Sequence, residues 1–307
     1  MKKILKYGCG CTTIGIVIAV IIAVAIVYKI TPKWHDEYGQ RYQDVAYGDR
    51  KGNTYDLYLP KSPGDGCDTL SLILFVHGGA WLGGDKEFHS GDCYTWVQKG
   101  YATATMNYSL LGEEGVSILT MLDDIDACIR HITGFAQQKG IILNQMAIAG
   151  TSAGGHLAMM YAYSREHALP LRFEAVKVGP SDLRVSFPYD YNASEKDIQN
   201  FIFNCTGKHM DAKDITPERL DSIKLSTSPI HYISDTTALP AIWAYGEKDG
   251  LVTPEHYKAL KERYDSVGKP YSLIVFPNSD HMLLSDKDCM DRYDSTMAEY
   301  CKKYFGY

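Results

Sequence analysis

The chain has 307 residues, of which 45% are hydrophobic and 22% are charged. These proportions are typical of a globular protein with a sizeable core, and one α/β domain often uses about 250 residues or more. The formal net charge of −6 offers no basic field to attract phosphates, which argues against a nucleic-acid partner. The eight cysteines form no Cys-x-x-Cys pair with a matching second pair, so no metal site is expected. The cysteine pattern is compatible with some disulfides or with buried free thiols.

Residues 1–30 have the pattern of a membrane anchor. Three lysines precede the 22 uncharged residues from Tyr7 to Tyr28. A helix of this length would span the hydrocarbon core of a bilayer, which is roughly 30 Å thick. A cleaved signal peptide is the alternative, because Ala23-Val24-Ala25 is similar to a cleavage site. Apolar residues continue to Val27, so we favour an uncleaved transmembrane helix. The lysines predict an extracytoplasmic domain, which would be secreted if the segment were cleaved.

The rest of the chain is predicted to form a short stalk at 31–41 and one α/β domain at 42–307. A hairpin is followed by apolar runs that alternate with helical patterns, which is typical of a doubly wound, mostly parallel sheet. The predicted central strands are 71–76, 101–106, 145–149, 174–179, 240–245 and 271–276. The alternation breaks at about 183–238, where the sequence is polar and helical in patches. We interpret this stretch as a cap that shapes a substrate pocket.

A predicted strand, a turn that carries a serine and a predicted helix meet at Gly150-Thr151-Ser152-Ala153-Gly154. In this context Gly-x-Ser-x-Gly is the pattern of a nucleophile elbow. Such a turn is strained, and a Cβ at Gly150 or Gly154 would collide with the neighbouring strand or helix. An ordinary glycine-rich turn is the alternative that the pentapeptide alone leaves open.

A serine nucleophile needs a histidine base that a carboxylate orients. Asp249 follows the strand 240–245, and His281 follows the last strand. The carboxyl ends of parallel strands share one edge of a sheet, so both side chains are expected near Ser152. Glu247 and Asp182 are competing acids at the same edge. The other histidines considered as the base lie on or beside predicted helices: His156, His231 and His256.

The sequence His77-Gly78-Gly79-Ala80-Trp81 follows the strand 71–76. Paired glycines let backbone N–H groups turn toward a developing oxyanion, and the amide of Ala153 would supply another donor. His77 is interpreted as a structural residue that binds the backbone of the loop. The sequence therefore predicts an oxyanion hole beside Ser152.

These motifs, together with Gly246-x-x-Asp249-x-x-Val252 and Tyr55-Asp56-Leu57-Tyr58-Leu59-Pro60, resemble the esterase/lipase branch of the α/β-hydrolases. The branch includes hormone-sensitive-lipase-like carboxylesterases, bacterial feruloyl- and acetyl-esterase-like proteins and kynurenine formamidase-like enzymes. The resemblance covers roughly residues 40–305. It departs from the strictest lipase-like members at Ala80, where they have a third glycine.

The resemblance implies an α/β-hydrolase fold and a role for each motif residue. Ser152 would be the nucleophile, Asp249 the acid and His281 the base. The implied oxyanion donors are Gly78, Gly79 and Ala153, and the implied supporting residues are His77, Trp81, Gly150 and Gly154.

The expected activity is hydrolysis of a small-molecule carboxylic ester through an acyl-enzyme, without a metal or an organic cofactor. An amide-bond hydrolase of the same fold, such as a formamidase or a small peptidase, is the alternative. A non-catalytic surface binding protein is a weaker alternative, because a binding module has no physical need for an intact Ser, Asp and His set.

Overall fold

An eight-stranded sheet organises a computed structural model of the chain, which describes residues 33–50, 52–61, 69–186, 194–211, 214 and 216–306. The strands are β1 (Gly39–Ala46), β2 (Thr54–Pro60), β3 (Thr69–Val76), β4 (Ala102–Met106), β5 (Ile142–Thr151), β6 (Leu171–Lys177), β7 (Ala241–Gly246) and β8 (Tyr271–Phe276). The helices are α1 (Ser90–Val97), α2 (Ile118–Gln138), α3 (Ala153–Ser164), α4 (Leu183–Ser186), α5 (Glu195–Thr206), α6 (Pro217–Ser226), α7 (Pro229–Tyr232), α8 (Glu255–Val267) and α9 (Lys287–Phe305).

The strand order is β1-β2-β4-β3-β5-β6-β7-β8. β1 and β2 form an antiparallel hairpin at one edge, β2 is antiparallel to β4, and every later pairing is parallel. The mostly parallel sheet therefore matches the expectation from the sequence. Its parallel strands all end at one edge, where the loops that follow β3, β5, β7 and β8 meet.

Helices cover both faces of the sheet, which explains the continuous apolar runs of the central strands. Along β3, Leu72 and Leu74 contribute to the core beneath α2, α3 and α8. Ile73 and Phe75 contribute to the opposite core, beneath α1 and α9. Because successive side chains alternate between faces, both halves of such a strand must be apolar. The sheet is therefore held between two cores.

The segment between β6 and β7 departs from the α/β alternation, as the sequence indicated. It contains α4, α5, α6 and α7. A small apolar cluster of its own, with Phe201, Ile202 and Cys205 on α5 and Ile223 on α6, holds two of these helices together. The assignment of 183–238 as a cap stays a prediction.

The predicted N-terminal transmembrane helix is wrong for the structure as described. Within the described ranges, no helix is both long enough and apolar enough to cross a membrane. The longest of these helices, α2, has 21 residues but carries charges at Asp123, Asp124, Asp126 and Arg130. The segment that was assigned to the anchor, residues 1–30, lies outside the described residues. The predicted membrane-anchored location depended on this helix, so it is wrong for the same reason.

Candidate active site

Ser152 lies in a sharp turn between β5 and α3. Its backbone has φ 55° and ψ −123°, a region that is costly for a residue with a Cβ. Two hydrogen bonds hold the turn: the Ser152 N–H donates to the Lys177 carbonyl at 2.9 Å, and the His156 N–H donates to the Ser152 carbonyl at 3.0 Å. The first bond ties the turn to β6 and the second begins the helix. The serine side chain is thereby presented above the carboxyl edge of the sheet.

Glycines on either side of Ser152 allow this turn to pack closely. An added Cβ at Gly150 would lie 2.3 Å from the carbonyl oxygen of Gly154, at the start of α3. An added Cβ at Gly154 would lie 2.1 Å from the carbonyl oxygen of Val76, at the end of β3. Both contacts are with backbone atoms, which cannot move aside as a flexible side chain would. The structure therefore requires glycine at both positions.

His281 is hydrogen-bonded to both Ser152 and Asp249. Its Nε2 lies 2.9 Å from Ser152 Oγ, and its Nδ1 lies 2.7 Å from Asp249 Oδ2. A carboxylate oxygen accepts hydrogen bonds, so Nδ1 donates to Asp249 and Nε2 accepts from the serine hydroxyl. The Asp249 side chain is fully buried, whereas 18% of the His281 side chain is exposed. The structure thus brings together the three residues predicted to form a triad.

The turn after β7 fixes the orientation of the Asp249 carboxylate. Its Oδ1 accepts from the N–H groups of Leu251 and Val252 at 2.8 and 2.9 Å, which leaves Oδ2 for His281. An added Cβ at Gly246 would lie 2.5 Å from the carbonyl oxygen of Asp280. Glycine at this position lets the acid-bearing turn lie directly against the loop that carries the histidine.

The two competing acids, Glu247 and Asp182, are hydrogen-bonded to side chains other than His281. Glu247 accepts a hydrogen bond from the Tyr257 hydroxyl at 2.7 Å. Asp182 accepts three from the Arg184 guanidinium, at 2.9, 3.2 and 2.6 Å. Burial raises the pKa of Asp182, but the hydrogen bonds from Arg184 outweigh it and hold that pKa below its ordinary value. Both carboxylates therefore act as local structural partners.

The rival histidines also have structural surroundings. The His156 ring donates from Nε2 to the Thr227 carbonyl at 2.8 Å. His256 Nδ1 accepts from the Ser181 N–H at 3.1 Å. Burial lowers the pKa of each of these histidines to about 4, so both rings are neutral near pH 7. His231 packs edge-on against Tyr232 in α7.

The loop after β3 lies directly against the elbow. An added Cβ at Gly78 would lie 2.9 Å from the Thr151 carbonyl oxygen and 3.2 Å from Ser152 Cβ. Gly79 has φ 126°, and its carbonyl accepts from the Gly83 N–H at 3.1 Å to close a tight turn. On the other side of the serine, Ala153 begins α3, and the first N–H groups of a helix lack partners within it. Backbone from two segments therefore lies beside the serine.

His77 and Trp81 are buried side chains that support this loop. The buried His77 ring hydrogen-bonds the Gly78 carbonyl through Nδ1 at 2.7 Å and stacks on Tyr108 at 4.4 Å between ring centroids. Burial lowers the pKa of His77 to about 4, so the ring is neutral and Nδ1 donates. Trp81 is 6% exposed and meets His156 edge-on at 5.1 Å. Both side chains are positioned to shape the loop.

Sequence reasoning missed Tyr108 as a supporting residue. Its hydroxyl donates to the His77 carbonyl at 2.9 Å, so both its ring and its hydroxyl contact the histidine. The position of Tyr108 just after β4, beside the end of β3, was the available signal. As for metals, no group of three or more His, Cys, Asp or Glu residues that could hold an ion lies within the described part of the chain.

The sheet is mostly parallel, and the serine lies on a strained strand-to-helix turn, hydrogen-bonded to a histidine that also binds a buried aspartate. This combination defines an α/β-hydrolase. A sequence model of the BD-FAE family matches residues 55–264, more than half of the chain. The chain belongs to the BD-FAE family, and the resemblance to the esterase/lipase branch is confirmed.

Two curated relatives illustrate the sequence similarity. Kynurenine formamidase of Danio rerio is 29% identical over 121 residues, which are 39% of this chain and 38% of that protein. Isoprenylcysteine alpha-carbonyl methylesterase ICME of Arabidopsis thaliana is 23% identical over 248 residues, 78% of this chain and 56% of that protein. The chain therefore spans 38% of the length of the first relative and 56% of the length of the second.

Solved structures share the fold at low sequence identity. An inhibited esterase B from Lactobacillus rhamnosis has a TM-score of 0.70 and 18% identity, covering 94% of this chain and 96% of that one. A truncated carbohydrate esterase from gut microbiota has a TM-score of 0.66 and 18% identity, covering 88% and 99%. These likenesses concern the fold.

Proposed function

We propose that this protein is a serine hydrolase that cleaves carboxylic esters of small molecules through an acyl-enzyme. The observation that carries the proposal is the hydrogen-bonded line from Ser152 through His281 to the buried Asp249, at 2.9 and 2.7 Å. Each distance is within the range in which a proton passes directly between heavy atoms. The line also lies at the carboxyl edge of the sheet, where α/β proteins assemble their sites.

In the first half of the reaction, Ser152 Oγ attacks the carbonyl carbon of the ester and its proton passes to His281 Nε2. The former carbonyl oxygen gains negative charge, which the N–H groups of Gly78, Gly79 and Ala153 would stabilise. The bond to the alcohol oxygen then breaks, and His281 returns the proton to the leaving alcohol. A water molecule, activated by the same histidine, repeats the sequence on the acyl-enzyme and releases the acid.

Asp249 would orient the histidine. Its two backbone donors fix the carboxylate, so the His281 ring is held in the tautomer that can accept the serine proton. When the imidazolium forms, the buried negative charge beside Nδ1 stabilises it. This role requires only that the two groups keep their 2.7 Å contact.

Ester substrates are favoured over amides by the names of the relatives. The Arabidopsis relative is a methylesterase, and two structural neighbours are esterases. The kynurenine formamidase relative supports a second candidate, hydrolysis of an N-formyl amide by the same residues. Formate ester and formamide of the same aromatic group, compared at equal concentration, separate the two: the proposal expects the larger kcat/KM for the ester.

The direct test is hydrolysis of a graded panel of p-nitrophenyl esters by the purified protein and its Ser152→Ala variant. The variant is expected to lose activity by at least about 10³-fold, because the nucleophile is gone while binding is retained. Ser164→Ala is a matched control, because its hydroxyl only caps the Met160 carbonyl at the far end of the same helix. A wild-type protein that hydrolyses none of these esters, and is not labelled at Ser152 by a fluorophosphonate, would refute the proposal.

A further inference from the structure

The loop between β8 and α9, which carries His281, is fixed by polar contacts at its two ends. Leu283, just after the histidine, is buried in the core beneath α9. Its backbone has φ 55°, so the chain turns back sharply there. Three further contacts converge on one carboxylate, that of Asp286, at the start of the helix.

Asp286 accepts three hydrogen bonds from the far side of the loop. Its Oδ2 accepts from the Asn278 N–H at 2.9 Å and from the Ser279 hydroxyl at 2.7 Å. Its Oδ1 accepts from the Asn278 side-chain amide at 3.0 Å. Burial raises the pKa of this carboxyl, but these hydrogen bonds outweigh it and hold the pKa below its ordinary value. The ionised carboxylate thus ties both ends of the loop together.

Ser279 extends this link to the acid-bearing turn. The residue is fully buried. Its hydroxyl also accepts from the Ser285 N–H at 3.1 Å, and its carbonyl accepts from the Lys248 N–H at 3.0 Å. Lys248 directly precedes Asp249, and Ser279 lies two residues before His281. One residue therefore connects the base loop, the acid turn and, through Asp286, the first turn of α9.

We propose that Asp286 is a positioning residue for catalysis: through Ser279 it sets the distance and orientation of His281 relative to Ser152 and Asp249. The inference rests on the proposed function. Asp286 touches neither Ser152 nor His281, so it acts only through the loop. The position of His281 must be accurate, because a displacement of a catalytic group by about 1 Å can lower the rate by about 100-fold.

Steady-state kinetics on a short p-nitrophenyl ester test the proposal. Asp286→Ala is expected to lower kcat by about 100-fold while KM changes little, because binding does not require an aligned base. Asp286→Asn keeps one acceptor oxygen and should recover part of the loss. Asp288→Ala is the matched control: the residue is an exposed acid in the first turn of the same helix, and kcat should stay near that of the wild type.

A second readout separates positioning from stability. The proton on His281 Nδ1, bound to Asp249, gives a downfield NMR signal that should shift or vanish in Asp286→Ala and persist in Asp288→Ala. If Asp286→Ala does not fold, Ser279→Ala, which deletes the hydroxyl that donates to Asp286 and accepts from the Ser285 N–H, carries the same expectations with a smaller loss. A folded Asp286→Ala that keeps both kcat and the downfield signal overturns the proposal.

The two proposals fail in different ways. If the wild-type protein hydrolyses no ester and resists the fluorophosphonate, the proposed function fails, whereas the NMR comparison still decides whether Asp286 positions His281. If the wild-type protein is active and Asp286→Ala matches it, only the positioning role fails.

Discussion

Glu174 is a buried carboxyl group whose ionisation should make the stability of this protein depend on pH. It lies on β6 and is completely buried. Its Oε1 accepts from the hydroxyl of Tyr163 and from the indole N–H of Trp243, the latter at 2.9 Å. Its Oε2 has no hydrogen-bond partner among the described residues. Burial outweighs the two hydrogen bonds and raises the pKa of Glu174 from 4.5 to about 7.

The sign follows from comparing the folded and unfolded chains. Below the unfolded pKa the group is neutral in both states, so stability is at its full value. As pH rises toward the folded pKa, only the unfolded chain loses the proton, which favours unfolding. The interval between 4.5 and about 7 therefore corresponds to a loss of about 3 kcal/mol in the free energy of unfolding. Above the folded pKa the loss stays constant.

Glu174→Gln is the perturbation that isolates this effect. The amide keeps an acceptor oxygen for Tyr163 and Trp243, but it cannot ionise. Urea denaturation of both proteins at several values between about pH 5 and about pH 8 should show the variant gaining about 2–3 kcal/mol relative to wild type over that range. The difference between the two proteins removes the contribution of every other titrating group that they share.

One result would refute the reasoning. If the difference in unfolding free energy between Glu174→Gln and wild type is the same at both ends of the pH range, the carboxyl does not titrate between them. A parallel measurement of ester hydrolysis would show whether the change in stability reaches the site, since β6 also holds the Ser152 N–H through the Lys177 carbonyl.

Two further substitutions probe the elbow and the acid. Gly154→Ala places a Cβ 2.1 Å from the Val76 carbonyl oxygen and should lower the melting temperature strongly. Gly250→Ala is the control: no atom lies within 4 Å of the added Cβ, so the melting temperature should stay near that of the wild type. Equal melting temperatures for the two variants would contradict the packing argument. Asp249→Asn should lower kcat by about 10³–10⁴-fold with little change in melting temperature, because an amide no longer fixes the histidine tautomer; a kcat within about tenfold of wild type would contradict the assigned role.

The sequence predicted most where the constraint is local. The elbow is an example: glycines at positions 150 and 154 are required by contacts within a few residues of the turn and with one neighbouring strand. The Asp249 turn is similar, because Asp249 binds the N–H groups two and three residues ahead. Such constraints produce short sequence patterns, so they can be recognised in a single sequence.

Longer-range contacts were beyond sequence reasoning. The strand predicted at 145–149 extends to Ile142–Thr151 in the structure, because β3 pairs with it as far as Ile142. The predicted strand began at Gln145, whose side chain is buried and donates to Ser71 Oγ and to the Phe305 carbonyl. Those partners lie 74 and 160 residues away. The contact of Tyr108 with the His77 carbonyl, 31 residues away, was missed for the same reason.

Backbone strain is concentrated at the same edge of the sheet as the candidate site. Of the six non-glycine residues with positive φ among those described, one, Asp44, lies at the irregularity in β1. The other five follow parallel strands at their carboxyl ends: Ala80, Trp81, Ser152, Val178 and Leu283. The glycines around Ser152 allow the strained turn there to be predicted from the sequence. The residue types of Trp81, Val178 and Leu283 do not predict a left-handed backbone. These three side chains are buried, and packing of the two cores over-determines conformations that the residues would not adopt alone. The loops that present the serine, the histidine and the backbone donors are thus held by the same cores that stabilise the sheet.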